Sequence, residues 1–220
     1  MRFLRLAFAA LGLVACTAFA SPTAPVAGKE YTLMASPQPV STVGKKVEVI
    51  EFFMYHCPHC NALEPTIAEW VKKQGDKIVF KRMHMPYTGD KDTETHLYLT
   101  LEAMGKLPEM HNKVFKAMHV ERVRLNQEPV LMDWIGKSGL DKAKFLEYWN
   151  SFGVLTKLKR MPQLLANYKV DSVPTVVVDG RYMTSPAKLE ESDKNLNETA
   201  AFQAMTQVLD ALVTKAAATK

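Results

Sequence analysis

The sequence predicts an α/β fold in which an all-helical stretch interrupts a single β-sheet. Three observations carry that reading. Runs rich in β-branched and aromatic residues occur at Val47 to Met54, Ile78 to Met85 and Thr175 to Met183. A turn and a helix pattern separate the first two runs, as in a strand–helix–strand unit. Between the second and third, apolar residues recur only at helical spacing. Strands at both ends share one sheet only if the middle is an insertion. The expected division is a leader over 1–20, a first α/β part over 21–88, a helical insertion over 89–161 and a second α/β part over 162–220.

The leader has Arg2 and Arg5, an apolar run from Leu6 to Ala15, and Ala18-Phe19-Ala20 before Ser21. That is the order of a secretory signal, with an apolar core too short to span a bilayer. Cleavage after Ala20 is expected. Leu13-Val14-Ala15-Cys16 also resembles a bacterial lipobox, which would instead lipidate Cys16 and tether the chain. Ser21 to Ser41 reads as extended, with a short edge strand around Tyr31 to Met34. Val47 to Met54 is mostly a continuous apolar run, suited to a strand buried on both faces.

Cys57-Pro58-His59-Cys60 follows at once, and Leu63, Ile67, Trp70 and Val71 continue it at helical spacing. Cys57 then falls near the N-cap and Pro58 at the first helical position, where a missing N–H costs nothing. Ile78 to Met85 reads as the second strand, bounded by Gly75-Asp76 and Pro86. Helical stripes come next: Leu97, Leu101 and Met104; Val114, Phe115 and Met118; Val130, Leu131, Trp134 and Ile135. Phe145, Leu146, Trp149 and Phe152 form another, extended by Leu155, Leu158, Leu164, Leu165 and Tyr168 with an interruption expected at Pro162. Such stripes are core faces. Asp179-Gly180 marks a two-residue hairpin between strands. Asn195 with Glu198 three residues on reads as a capping-box variant before a final helix carrying Phe202, Met205, Leu209, Leu212 and Val213.

The net charge of +5 falls to +3 without Arg2 and Arg5, and the remaining Lys and Arg are scattered, so no nucleic-acid footprint is expected. Cysteine usage is more telling. With Cys16 in the leader, only Cys57 and Cys60 remain as thiols. A bond between them closes too short a loop to constrain the unfolded chain, so the pair is there for chemistry. A closed zinc site needs four ligands and here there is one such pair, so no metal is expected. Haem attachment needs His after the second cysteine, and position 61 is Asn.

At a helix N-terminus the Cys57 sulfur meets a partial positive charge and unpaired N–H groups. Protonated His59 adds a second favourable charge, so the Cys57 pKa should be depressed. Whatever stabilises the thiolate stabilises the reduced pair and makes its disulfide a stronger oxidant, by about 30 mV for each 1.4 kcal/mol.

Glu51-Phe52-Phe53, Cys57-Pro58-His59-Cys60 and Val173-Pro174-Thr175 before a hairpin together resemble the DsbA family of thioredoxin-fold proteins, over nearly all of the chain after the leader. The resemblance implies a thioredoxin fold with an inserted all-helical domain, and a periplasmic thiol:disulfide oxidoreductase that introduces disulfides into exported proteins. It implies that Cys57 is the exposed attacking cysteine and Cys60 the buried resolving one, with no cofactor beyond their own disulfide. Pro174 would be cis and face that disulfide, and the Val173 backbone would pair with bound substrate like an added strand. Glu51 would be a buried acid handling protons near Cys60, with Lys81 or Arg82 as its partner; spacing does not choose between them. The implied partners are exported proteins with free cysteines and a quinone-linked inner-membrane oxidase of the DsbB kind, the chain itself being a monomer.

His84 is expected to be a hydrogen-bonded core residue, and His96, His111 and His119 to lie on the surface. Met54, Tyr55 and His56 depart from the family pattern and should alter the substrate surface. Two other functions remain open. A reductase or isomerase uses the same chemistry, although an exported isomerase normally needs a dimerisation segment for which Ser21 to Lys46 is too short. A chaperone-like binder would use the surface around the site without turnover.

Overall fold

The computed structural model describes residues 22–42 and 44–220, so the expected leader and Cys16 lie outside the described residues. One five-stranded sheet organises the chain. Its strands are β1 (Thr32–Leu33), β2 (Val47–Phe53), β3 (Ile78–His84), β4 (Thr175–Val178) and β5 (Tyr182–Thr184), in the spatial order β1-β5-β4-β2-β3. β2 pairs parallel with β3 and antiparallel with β4, and all seven of its residues are buried. That is the burial expected of a continuous apolar run.

Helix α1 (Pro58–Gln74) crosses from β2 to β3, running through Pro65. Five helices then intervene before β4: α2 (Thr93–Ala103), α3 (Leu107–His119), α4 (Glu128–Lys137), α5 (Lys142–Trp149) and α6 (Phe152–Tyr168). The chain closes with α7 (Pro186–Ser192) and α8 (Glu198–Ala217). The helices thus interrupt the sheet in sequence but not in space, as expected. The β4–β5 turn has positive φ at Asp179 (53°) and Gly180 (62°), the demand of a tight primed hairpin turn. Gly180 is also required by space, because a Cβ there would collide with the Gln38 backbone.

Alternation along β2 divides its side chains between two layers. Val47 and Val49 pack with Leu63, Ile67 and Trp70 of α1 and with Met205, Val208 and Leu212 of α8. Ile50 and Phe52 point the other way, against Val177 and against Leu165 and Tyr168 of α6. A third cluster fills the helical block and reaches up to Phe53, Tyr55, Cys57 and Cys60. Each fully buried side chain of this kind contributes about 1.5–3 kcal/mol.

Several expectations need correction. α6 is not interrupted at Pro162 but runs on to Tyr168. Its buried stripe is Val154, Leu158, Met161, Leu165 and Tyr168, which leaves Phe152 off the stripe and 86% exposed. The cap of α8 is Asn197, whose side chain accepts the Ala200 N–H, rather than Asn195. His96 and His111 are buried and His119 is half-buried, not surface residues. Hydrogen-bond partners make that burial affordable. His96 Nε2 lies 2.8 Å from the Trp149 carbonyl with its ring stacked on the indole, and His119 Nε2 lies 2.7 Å from the Tyr55 carbonyl. His84 is a core residue as expected, its Nδ1 2.8 Å from Thr95 Oγ1 while its Nε2 accepts the Tyr55 N–H at 3.0 Å.

Candidate active site

Cys57 is the N-cap of α1, with extended backbone (φ −74°, ψ 117°), and Pro58 opens the helix. Its sulfur accepts the backbone N–H of Cys60 at 3.3 Å, the bond an Asn or Ser cap would make. As a thiol it donates to the Val173 carbonyl at 3.7 Å. The Val173–Pro174 bond is cis, and the Val173 carbonyl places this segment against Cys57. Cys57 is 9% exposed and Cys60 1%. The first sulfur is therefore the more accessible of the two, but it is far more covered than the sequence suggested.

The two thiols are driven apart in acidity. Cys57 is pulled from 9.0 to about 6, first by the hydrogen bond it receives from the Cys60 thiol, against the opposing effect of burial. The backbone N–H groups of Cys60 and His59 and the charge of His59 add to the pull. Cys60 is pushed upward, first by that same hydrogen bond to Cys57 and then by burial. The largest cause at Cys57 is thus its own partner cysteine rather than His59. His59 is exposed and its Nδ1 lies 2.5 Å from Glu198 Oε1, at the start of α8. That bond is the first cause of its raised pKa.

Sheet register settles the partner of Glu51. Glu51 lies opposite Arg82 in the parallel β2–β3 ladder, while Lys81 lies opposite Ile50. Side chains alternate, so Arg82 shares the face of Glu51 and Lys81 shares that of Glu48. Arg82 Nε donates to Glu51 at 2.8 Å and Lys81 Nζ donates to Glu48 at 2.6 Å. The other arm of Arg82 reaches both carboxylate oxygens of Glu64 at 2.9 Å. His111 joins at 3.3 Å from Glu64, and its second nitrogen is 3.1 Å from the Tyr55 hydroxyl. Burial raises Glu51 from 4.5 to about 7, with the Arg82 charge opposing and the Glu64 charge assisting. The charge of Glu51 in turn reaches Cys60 and helps to raise its pKa. A cavity of about 610 Å³, lined in part by Glu64, Arg82, Tyr98 and His111, opens beside this network.

The structure therefore brings Cys57, Pro58, His59, Cys60, Val173 and Pro174 into one site, with Glu51 on the face of β2 that α1 covers. Sequence reasoning missed Glu64, Glu94 and Glu198. Glu64 had a signal, since it lies four residues after Cys60, on the same side of α1, in an otherwise apolar stripe. Glu198 was noticed only as a capping residue. Among the described residues no group of three or more His, Cys, Asp or Glu side chains is placed to hold a metal ion. Nor is any described helix long and apolar enough to cross a membrane.

This arrangement is that of a dithiol suited to exchange, and the chain as a whole is similar to known proteins. The family described as DSBA-like thioredoxin domain matches residues 82–197, a segment that begins after the Cys57–Cys60 helix. The thiol:disulfide interchange protein DsbA of Burkholderia cepacia is 45% identical over 177 residues, covering 80% of this chain and 84% of that protein. Its namesake from Pseudomonas aeruginosa PAO1 is 42% identical over 156 residues, covering 71% of this chain and 74% of the relative. The crystal structure of Pseudomonas aeruginosa DsbA superposes with a TM-score of 0.75 at 36% identity, over 89% of this chain and 97% of that one. The sheet with its inserted helices is accordingly a thioredoxin fold with a helical insertion. Likeness in sequence and in fold leads to one assignment: the chain belongs to the DsbA family and is a protein disulfide oxidoreductase.

Proposed function

We propose that the protein works as a dithiol oxidase in the periplasm, donating the Cys57–Cys60 disulfide to exported proteins with free cysteines. A substrate thiolate attacks Cys57 of the oxidised pair; the Cys57–Cys60 bond breaks, a mixed disulfide forms and Cys60 leaves with the electron pair. Cys60 then takes a proton, for which Glu51 is the buried donor. The substrate's second thiolate attacks its own sulfur in the mixed disulfide, the substrate disulfide closes, and Cys57 departs as a thiolate. The substrate loses two electrons and the cysteine pair gains them. Reoxidation returns those electrons to a quinone-linked membrane partner of the DsbB kind, with Glu51 accepting the Cys60 proton.

The observation that carries this reading is the split between the sulfurs, with Cys57 lowered to about 6 and Cys60 raised. A stable Cys57 thiolate is a good leaving group and favours the reduced pair, hence an oxidising disulfide. Val173 supports the role of substrate-pairing backbone, because its carbonyl lies beside the Cys57 sulfur. The electrons reside on the two sulfurs, so the reading uses no separate cofactor. Residues 89–161 are read as the inserted domain within a thioredoxin-like unit formed by 21–88 and 162–220. Residues 1–20 are read as a cleaved signal, the alternative being a lipid on Cys16.

Trapping tests the reading. With oxidised glutathione supplying the two-electron oxidant, Cys60→Ala should accumulate mixed disulfides with client proteins through Cys57, while Cys57→Ala should form none and lose all oxidase activity. A Cys57→Ala protein that keeps its activity, or a Cys60→Ala protein that traps nothing under oxidising conditions, contradicts it.

A further inference from the structure

The residue before Cys57 is held by the same chemistry as the residue two after it. His56 Nδ1 lies 2.7 Å from Glu94 Oε2, and that oxygen also accepts the His56 backbone N–H at 3.1 Å. Glu94 is 2% exposed, in the first turn of α2. Its other oxygen, Oε1, is buried without a hydrogen-bond partner. A buried carboxylate with an idle oxygen is costly, and helix capping does not explain it. Asp92 already caps α2 through the Thr95 N–H at 2.8 Å.

Burial works against the Glu94 charge, but the hydrogen bond from His56 and the His84 ring 3.6 Å away overcome it and hold the carboxyl at about 2. The anion is therefore permanent across neutral pH. His56, whose side chain is 38% exposed, is the group it serves, and the Glu94 bond is the first cause of its raised pKa.

We propose that His56, clamped by Glu94, is a second positioning cation for Cys57, so that the exchanging sulfur sits between two carboxylate-held imidazoles. The two clamps come from different parts of the chain. Glu94 belongs to the first turn of α2 in the helical block and Glu198 to the first turn of α8. Both carboxylates sit where a helix dipole favours negative charge. The charged and titratable groups facing His56 are Glu94 and Asp92 from α2, Cys57 from the start of α1, and His84 from β3 at 3.6 Å from Glu94; the Tyr87 ring packs against the His56 ring at 5.5 Å. His84 Nε2 accepts the Tyr55 N–H. His56 directly precedes Cys57 in the chain, and the Cys57 charge acts on it. Protonated, it lowers the free energy of the Cys57 thiolate; in the mixed disulfide the same charge eases departure of the Cys57 sulfur. The inference rests on Cys57 being the exchanging cysteine.

Linkage supplies a test that needs no substitution. If His56 and the Cys57 thiolate interact, forming the disulfide must lower the His56 pKa by the amount that His56 protonation lowers the Cys57 pKa. We expect His56 to titrate about half a unit higher in the reduced than in the oxidised full-length protein, followed by NMR. Partial exposure keeps the shift below that of a buried pair. In His56→Gln the Cys57 pKa should rise by about half a unit, and the equilibrium with glutathione at pH 7 should become about threefold less oxidising. His56→Lys, which keeps a cation, should restore most of that loss. Equal His56 titration in the two redox states overturns the proposal. So does an unmoved Cys57 pKa in His56→Gln, whatever happens to turnover, since that marks a purely structural residue. A wild-type Cys57 that itself titrates near 9 would instead sink the exchange reading on which the proposal stands.

Discussion

Two helices begin beside one another at the site, and they begin in the same way. α8 starts at Asn197, whose side-chain oxygen accepts the Ala200 N–H at 2.9 Å. α1 starts at Cys57, whose sulfur accepts the Cys60 N–H at 3.3 Å. The first residue of α8, Glu198, reaches across to His59 of α1. In both helices the cap satisfies an orphan donor and sits at the positive end of a dipole. At Asn197 those forces only hold a helix end. At Cys57 they act on an atom that can lose a proton, and the same geometry becomes an acidity. The reactivity of this site is ordinary helix capping applied to an ionisable cap.

The strongest way to break that comparison is to make the two caps chemically alike. Cys57→Ser keeps a capping oxygen and removes the exchanging sulfur. Disulfide transfer to a reduced client should vanish, while at pH 5, where Cys57 is protonated, the unfolding free energy of the reduced protein changes by no more than about 1 kcal/mol. A large loss of stability would show that Cys57 holds the fold as well as the chemistry.

A second contrast lies beneath α1, where Glu51 is buried in β2. Its pKa is raised from 4.5 to about 7, so its neutral form is favoured in the fold. The associated stability is fully present below 4.5 and is lost as pH rises through 7. Glu51→Gln should therefore stabilise the oxidised protein by about 3 kcal/mol at pH 8 and by little at pH 4.5. Arg82 retains both bonds to Glu64 in that variant, so no unpaired cation is left behind. Urea unfolding at the two pH values checks this, and an equal effect at both would remove Glu51 from the proton balance.

Smaller effects separate the two helix starts further. Glu198→Gln removes the clamp on His59, whose pKa should fall back towards 6.5. The His59 charge acts on Cys57 directly, so the Cys57 pKa should rise slightly and oxidising strength at pH 7 should drop about twofold, read by glutathione equilibration. Asn197→Ala should cost about 1 kcal/mol of stability and leave that equilibrium unmoved. A redox change in the second variant would mean that the α8 start shapes the site through more than Glu198.

What could be read from the sequence divides along physical lines. Strands such as Val47 to Phe53, the Asp179-Gly180 turn and the cap role of Cys57 depend on neighbours a few residues away, so their signals are local. The choice of Arg82 over Lys81 depends on the β2–β3 register, which no local pattern carries. His111 looked like a surface residue because the Glu64 and Tyr55 groups that satisfy it are 47 and 56 residues away in the chain. The clamps on His56 and His59 come from 38 and 139 residues away, which is why the two carboxylates framing the site were missed. Pro162 misled in the opposite sense, because a local helix breaker was overruled by the buried stripe from Val154 to Tyr168.

The pH dependence of the reduced protein gives an independent view of the same acidity. Cys57 is depressed in the fold from 9.0 to about 6, so the stability it lends the reduced protein is present above 9 and is lost as pH falls through 6. Between those limits the reduced form should gain about 1.4 kcal/mol per pH unit over the oxidised form. The most direct measurement is the ultraviolet thiolate absorbance of the reduced protein as a function of pH, with Cys57→Ser as the blank. A single sulfur ionising near pH 6, with the second still protonated at pH 9, is the result expected of a thiol that caps a helix and receives its partner's hydrogen. Two sulfurs ionising together near 9 would contradict it.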